Sequence, residues 1–328
     1  MKTPVFALLL ITSTLLVTVS NNALFAWAML ELNMLAFIPL MHTNNSTLET
    51  EGSIKYLIPQ SFGSGLFMAS ILLMPTTPNS KMLSTIALVL KLGGAPLHNW
   101  FPIVMQSINL IPGFILATWQ KLAPLLLLST PHLAYTPLII LSAILSAMWG
   151  SMAGLTQTNL LKLMAFSSIN HLSWLMMASM FNPPIALIYL TSYSLSALPI
   201  FMYMQTPLVK TYNTTLSPPL NNYSQVAMLT SMLSLASLPP LLMFLNKLPI
   251  ITLMTNNKLL MPLTTLLLSA AISLYFYLSL VIMLTLNFNS SSKPTSMKDL
   301  STIELTVYTL STILQGLALP LWLTNPMT

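Results

Sequence analysis

Met82-Leu83-Ser84-Thr85-Ile86-Ala87-Leu88-Val89-Leu90-Lys91-Leu92-Gly93-Gly94-Ala95-Pro96-Leu97-His98-Asn99-Trp100 is a nearly unbroken apolar run with a single charge, Lys91, at its midpoint. A helix needs about 20 such residues to cross the hydrocarbon core of a bilayer. An ammonium halfway across costs roughly 2.5–3.5 kcal/mol on insertion scales, so a span that only faced lipid would not carry one. The glycine pair and proline after Lys91 oppose an uninterrupted helix, because proline lacks an amide donor and its ring clashes with the carbonyl four residues back. The segment reads as a membrane helix broken beside a buried charge.

The same composition extends over the whole chain. Of 328 residues, 55% are hydrophobic and 5% charged, with a mean hydropathy of +0.79. Soluble domains carry about a quarter charged residues, and disordered chains pair low hydrophobicity with high charge. Both classes are excluded. Eleven runs reach membrane length, over residues 4–20, 24–41, 56–74, 82–100, 110–130, 135–154, 160–181, 185–205, 224–255, 262–286 and 303–324. The alternation of a transmembrane β-barrel is absent. The expectation is an all-α polytopic membrane protein of about 11 transmembrane helices, forming a single membrane-embedded unit over residues 1–328. The longest polar connections, 42–55, 206–223 and 287–302, are too short to fold alone, and Asn289-Ser290-Ser291-Ser292 reads as a flexible linker.

All eleven basic residues are lysines, and there is no cysteine. The lysines are scattered rather than clustered, so a nucleic-acid partner is not expected. Without cysteine, disulfides, thiolate metal sites and iron–sulfur clusters are excluded. Four dispersed histidines make no metal site by spacing, and no nucleotide-binding or nucleophile motif occurs. The first run is expected to be retained rather than cleaved as a leader, since no small-x-small site follows promptly and Asn21-Asn22 turns straight into the next span. Eleven spans place the termini on opposite faces. The N-terminal face collects Lys2, Lys55, Lys210, Lys293 and Lys298, with Lys162 beside it, and the other face collects Lys81 and Lys258. By the positive-inside rule the N-terminus is expected inside and the C-terminus outside.

Four ionisable groups lie within the spans: Glu31, Lys91, Lys121 and Lys247. Summed, they oppose insertion by about 10 kcal/mol, so they are expected to face protein or trapped water rather than lipid. Structural pairing, as of Glu31 with one lysine, is one reading, but three lysines and one carboxylate do not all pair off. The other reading is proton handling, because a lysine removed from water can release its proton and arginine cannot. A row of such groups passes a proton along, since each site's affinity depends on its neighbour's charge. Lys247 is preceded by Leu238-Pro239-Pro240 within a run too long for one straight span. Paired discontinuous helices in the two halves of a chain mark inverted-repeat transporters, with binding sites at the breaks. Ordinary proline kinks are the plainer alternative.

Ser167, Ser168 and His171 share one face of the 160–181 helix, at spacings of three and four. They form either a candidate hydrated relay or polar packing between helices. Lys162 reads as a snorkelling anchor, His98 as an interfacial residue with a structural role, and Glu49, Glu51 and Lys55 as a solvated charge cluster. The methionines read as packing or as contacts with membrane lipids.

Taken in order, Lys91 to Trp100, Thr118-Trp119-Gln120-Lys121-Leu122-Ala123-Pro124, Gly154-Leu155-Thr156-Gln157-Thr158-Asn159-Leu160, Lys162 to His171, Leu238-Pro239-Pro240 with Lys247, and Leu274-Tyr275-Phe276-Tyr277 resemble one family. It is the chain 2 family of mitochondrial NADH–ubiquinone oxidoreductase (respiratory complex I), antiporter-like subunits in their shortened animal-type form. The resemblance runs from Glu31-Leu32-Asn33 to about Tyr277. It implies antiporter-like inverted repeats with two discontinuous helices, and eleven helices where the full form has fourteen. It also implies an inner-membrane location with the N-terminus in the matrix and the C-terminus in the intermembrane space. By the resemblance, Glu31 tunes Lys91 on the first broken helix, Lys121 connects two half-channels, and Lys247 on the second broken helix faces the neighbouring antiporter-like subunit. The implied activity is proton translocation within an NADH:ubiquinone reductase, beside the other membrane-arm subunits. No redox centre or cofactor is expected in this chain, since NADH, FMN, the iron–sulfur clusters and ubiquinone belong to other subunits.

The sequence departs from that pattern in places. Ser237 stands where glycine is usual, Asn246 where proline is usual, and Leu161 and Ser279 where arginine is common. Two other readings remain at this level. An independent cation/proton antiporter would need a carboxylate-rich cation site, and only five acidic residues are present. A structural scaffold of the membrane arm would leave the lysines without a role.

Overall fold

The computed structural model describes residues 2–43, 46–75, 79–204, 222–239, 241–290 and 302–316. Its elements are helical: α1 Lys2–Val19, α2 Ala23–Met41, α3 Thr47–Leu73, α4 Ser80–Leu92, α5 Trp100–Ser107, α6 Leu110–Ala117, α7 Leu122–Leu128, α8 Thr136–Leu155, α9 Leu160–Phe181, α10 Pro183–Met204, α11 Asn222–Leu235, α12 Leu242–Asn256, α13 Leu260–Ser290 and α14 Thr302–Gly316. Among the described residues no strand occurs. Among the described residues, six stretches are long and apolar enough to cross a membrane: Ala23–Met41, Thr47–Leu73, Leu110–Leu128, Thr136–Leu155, Pro183–Met204 and Leu260–Leu286. Lys210, Pro240, Lys293 and Lys298, most of the 206–223 and 287–302 connections, and the last run beyond Gly316 lie outside the described residues.

The chain forms two compact units. One comprises Met1–Gly150 with Ala165–Ala186, the other Ser151–Met164 with Leu187–Thr328. In the first, α1 packs on α2, α2 on α3, and α3 on both α4 and α5. From Ala165 onward α9 is enclosed in this unit, with Ser168, Leu172, Trp174, Met176 and Met177 fully buried. Its serines, asparagine and histidine sit where lipid does not reach, which explains how a helix with that many polar groups fits here. On α8, Ser142, Ala143, Ser146, Ala147 and Gly150 form a fully buried stripe at helical spacing. Small residues let two backbones approach. A Cβ on Gly150 would lie 2.7 Å from the Asn170 nitrogen and 2.9 Å from the Phe166 carbonyl oxygen, so glycine fixes the distance between α8 and α9. In the second unit α11 packs on α12, α13 and α14.

Two sequence expectations are corrected. The polar 42–55 connection is mostly helix, because α3 begins at Thr47. Its N-cap is Ser46, whose side chain accepts from the Glu49 amide at 3.3 Å; Ser-x-x-Glu is a capping-box spacing. The 49–55 charge cluster is solvated only in part. Lys55 and Glu51 form an exposed i,i+4 ion pair at 3.4 Å, but Glu49 is 2% exposed. Its Oε1 accepts from Thr43 Oγ1 and Asn109 Nδ2, side chains that no local pattern places beside it.

Candidate functional site: buried lysines at helix ends

The run that opens the sequence is two helices. α4 ends in a Schellman motif: the Gly93 amide bonds the Leu90 carbonyl at 3.1 Å and the Gly94 amide bonds the Val89 carbonyl at 2.9 Å. Gly93 is left-handed at φ 73°, a conformation that costs an L-residue its Cβ clearance. Lys91 therefore sits in the last turn of α4, where a helix leaves carbonyls unpaired and its dipole favours a cation. Two side chains supply donors: Gln60 Nε2 bonds the Lys91 carbonyl at 3.0 Å and Trp100 Nε1 bonds the Leu90 carbonyl at 3.2 Å. Lys91 itself is buried. His98 lies in the connection between α4 and α5, 7% exposed, with its ring 6.0 Å from that of Trp149.

Lys121 lies at a second interruption. Between α6 and α7 the chain makes a 3-10 turn over Trp119–Lys121. Pro124 has no amide to offer the Gln120 carbonyl and its ring crowds that group, which accounts for the tightened turn. The turn aims Lys121 inward: its Nζ donates to the Ser168 carbonyl of α9 at 3.0 Å and lies 5.4 Å from the Phe101 ring centroid. Lys121 thus meets the polar strip of α9, where Ser167, Ser168 and His171 are all buried.

Lys91 and Lys121 open on one cavity. Its lining includes Asn33, Tyr56, Gln60, Trp100, Phe101 and Gln120 as well as both lysines. The free volume is about 20 Å³, enough for one water, which needs roughly 10–15 Å³ and at least two polar partners. Gln120 Nε2 donates to Asn33 Oδ1 at 3.2 Å across it. Glu31 is half-buried and stands outside that lining. No ion pair joins it to Lys91, and its Oε2 is buried without a hydrogen-bond partner. Asn33, Tyr56, Gln60 and Gln120 were not singled out by sequence reasoning. The available signal was an amide or phenol inside an apolar run, beside Glu31 in one case and Lys121 in another.

Lys247 belongs to the other unit. α11 ends at Leu235 in a second Schellman motif, with Ser237 bonding the Ser234 carbonyl at 2.8 Å and Leu238 bonding that of Leu233 at 3.4 Å. Ser237 holds φ 60°, so the position where the resembled family has glycine is left-handed here and occupied by a side chain. Lys247, 5% exposed, follows Met243 by one turn of α12, and Met243 Sδ meets Ser192 Oγ of α10 at 3.4 Å.

A family model described as "NADH:quinone oxidoreductase/Mrp antiporter, TM" matches residues 75–273, a stretch that contains Lys91, Lys121, Lys247 and both Schellman breaks. The chain belongs to this family. Relatives of this antiporter-family chain include the NADH-ubiquinone oxidoreductase chain 2 of Loxodonta africana, 38% identical over 83% of this chain and 82% of that one. The protein of the same name from Anopheles gambiae is 39% identical over 84% of each. A chain of the respiratory complex I of Thermus thermophilus with bound aureothin superposes with a TM-score of 0.83, covering 99% of this chain and 79% of that one. At 22% identity that likeness is one of fold.

Proposed function

We propose that this chain is a membrane subunit of the mitochondrial NADH:ubiquinone oxidoreductase and takes part in moving protons across the inner membrane. Quinone reduction in other subunits drives the step, and this chain holds no redox cofactor; NADH, FMN, iron–sulfur clusters and ubiquinone act elsewhere in the assembly. α4 with α5, and α11 with α12, are each one discontinuous span among eleven. The N-terminus lies in the matrix and the C-terminus in the intermembrane space. Neighbouring membrane-arm subunits and lipid cover the apolar exterior. Glu31, Lys91, Lys121 and Lys247 are the proton-path residues, with Ser167, Ser168 and His171 as a hydrated relay.

The observation that carries this reading is the small polar cavity shared by Lys91 and Lys121 inside the apolar bundle. An uncharged scaffold would fill it with aliphatic side chains, since buried amines and amides cost stability unless paired. The kinship with proteins named NADH-ubiquinone oxidoreductase chain 2 over more than four-fifths of the chain supports placing it in that assembly. In the assembled complex, Lys121→Met removes the ammonium at nearly constant volume and should lower the protons translocated per NADH oxidised. An undiminished ratio would favour the scaffold and sink the proposal.

A further inference from the structure

One face of α3 runs along the whole of the first break. Glu49, Gly52, Tyr56, Gln60 and Gly63 recur at spacings of three and four, and all are buried. Each meets the interrupted segment in turn. Glu49 accepts from Asn109, just past the end of α5. At Gly52 a Cβ would overlap Ser107 Oγ, so α5 ends in direct contact with α3. Tyr56 meets Trp100, the first residue of α5, edge-on at 5.9 Å. Gln60 donates to the Lys91 carbonyl at the end of α4. At Gly63 a Cβ would lie 3.1 Å from both Lys91 Cγ and Leu90 Cδ2.

Lys91 is thus held twice from α3, one turn apart: its carbonyl by the Gln60 amide and its side-chain stem against Gly63. A carbonyl freed by a helix break in a membrane needs a protein donor or a trapped water. Glutamine supplies the donor without bringing a charge to the ammonium beside it. The bond also fixes the last turn of α4, and with it the direction from which the lysine enters the cavity.

We infer that α3 splints the two halves of the broken helix and that Gln60 is a positioning residue for Lys91. The inference rests on Lys91 acting in proton translocation. Gln60→Leu keeps the apolar bulk and removes the donor. Gly63→Ala keeps every hydrogen bond and displaces the stem. Glu31, Tyr56 and Lys121 are the ionisable groups near Lys91, and both substitutions leave them in place.

The test compares Gln60→Leu, Gly63→Ala and Lys91→Met in the complete complex in sealed vesicles, at equal amounts of assembled enzyme. Proton translocation per NADH and its pH profile are read for each. The expected result is a lowered translocation per NADH for Gln60→Leu, as the equilibrium between positioned and displaced Lys91 shifts on the order of five-fold with one unmade buried bond. Its pH profile should change, and Gly63→Ala should act in the same direction. A merely structural role would lower the amount of complex and leave both readouts per complex unchanged; that result overturns the inference. If Gln60→Leu does not assemble, Gly63→Ala decides alone, and failure of both to assemble also overturns it. Full translocation by Lys91→Met would overturn the underlying reading instead. Loss in Lys91→Met with normal Gln60→Leu and Gly63→Ala overturns only the splint.

Discussion

Two helix ends of the same geometry carry different residues, and they give a prediction of opposite signs. At Gly93 and Ser237 the backbone is left-handed, with φ 73° and 60°. An L-residue pays about 1–2 kcal/mol there and glycine does not. Ser237→Gly recovers that cost but loses the 3.4 Å contact of its hydroxyl with the Leu235 carbonyl and loosens the unfolded chain by about 0.5–1 kcal/mol. The net gain is about 0.5 kcal/mol, roughly a two-fold change in a local opening equilibrium. Gly93→Ser pays the same cost of about 1–2 kcal/mol but regains about 0.5–1 kcal/mol because serine stiffens the unfolded chain, so handedness alone costs about 0.5–1 kcal/mol, a factor of about 2–5. It also presses a Cβ to within 3.2 Å of Phe101 Cβ. The assay is amide hydrogen exchange followed by mass spectrometry on peptides covering 86–96 and 231–242. Exchange at the Ser237→Gly break should slow slightly, and exchange at the Gly93→Ser break should quicken by about two- to five-fold or more. Equal rates in both variants, or the same sign in both, would refute the idea that these ends are governed by backbone handedness.

Gly150→Ala should destabilise the contact between α8 and α9 by about 1–3 kcal/mol, because the three atoms nearest the new methyl are backbone atoms of Asn170 and Phe166; a lowered thermal midpoint of the purified protein checks it, and an unchanged one contradicts it. Asn109→Leu should leave buried Glu49 short of a donor at a cost of about 1–3 kcal/mol; faster amide exchange over residues 47–53 is expected, and unaltered exchange would mean that the bond is not needed.

What the sequence discloses and what it hides follow from the range of the interactions. The stop at Gly93 is legible because glycine and proline act on their own backbone. The start of α3 at Thr47 was legible too, in the Ser46 and Glu49 spacing, but a charged stretch beside an apolar run draws the boundary to the hydropathy step instead. The turn at Lys121 depends on Pro124, three residues later, within a run that otherwise reads as one span. Gln60 was beyond reach, since its partner is the Lys91 carbonyl, 31 positions away in sequence, and a backbone acceptor leaves no trace in side-chain pattern. The same holds for Lys121 and the Ser168 carbonyl, 47 positions apart. Burial of Lys91, Lys121 and Lys247 was readable from apolar context alone; which pair shares a cavity was not.

The most direct test is a density map of the assembled protein sharp enough to show water. A water bridging the Lys91 and Lys121 amines, at roughly 2.7–3.2 Å from a polar partner on each side, inside the ring of Asn33, Tyr56, Gln60 and Gln120, is the predicted result. Amines swung out toward the headgroups, with that cavity collapsed or dry, would contradict it.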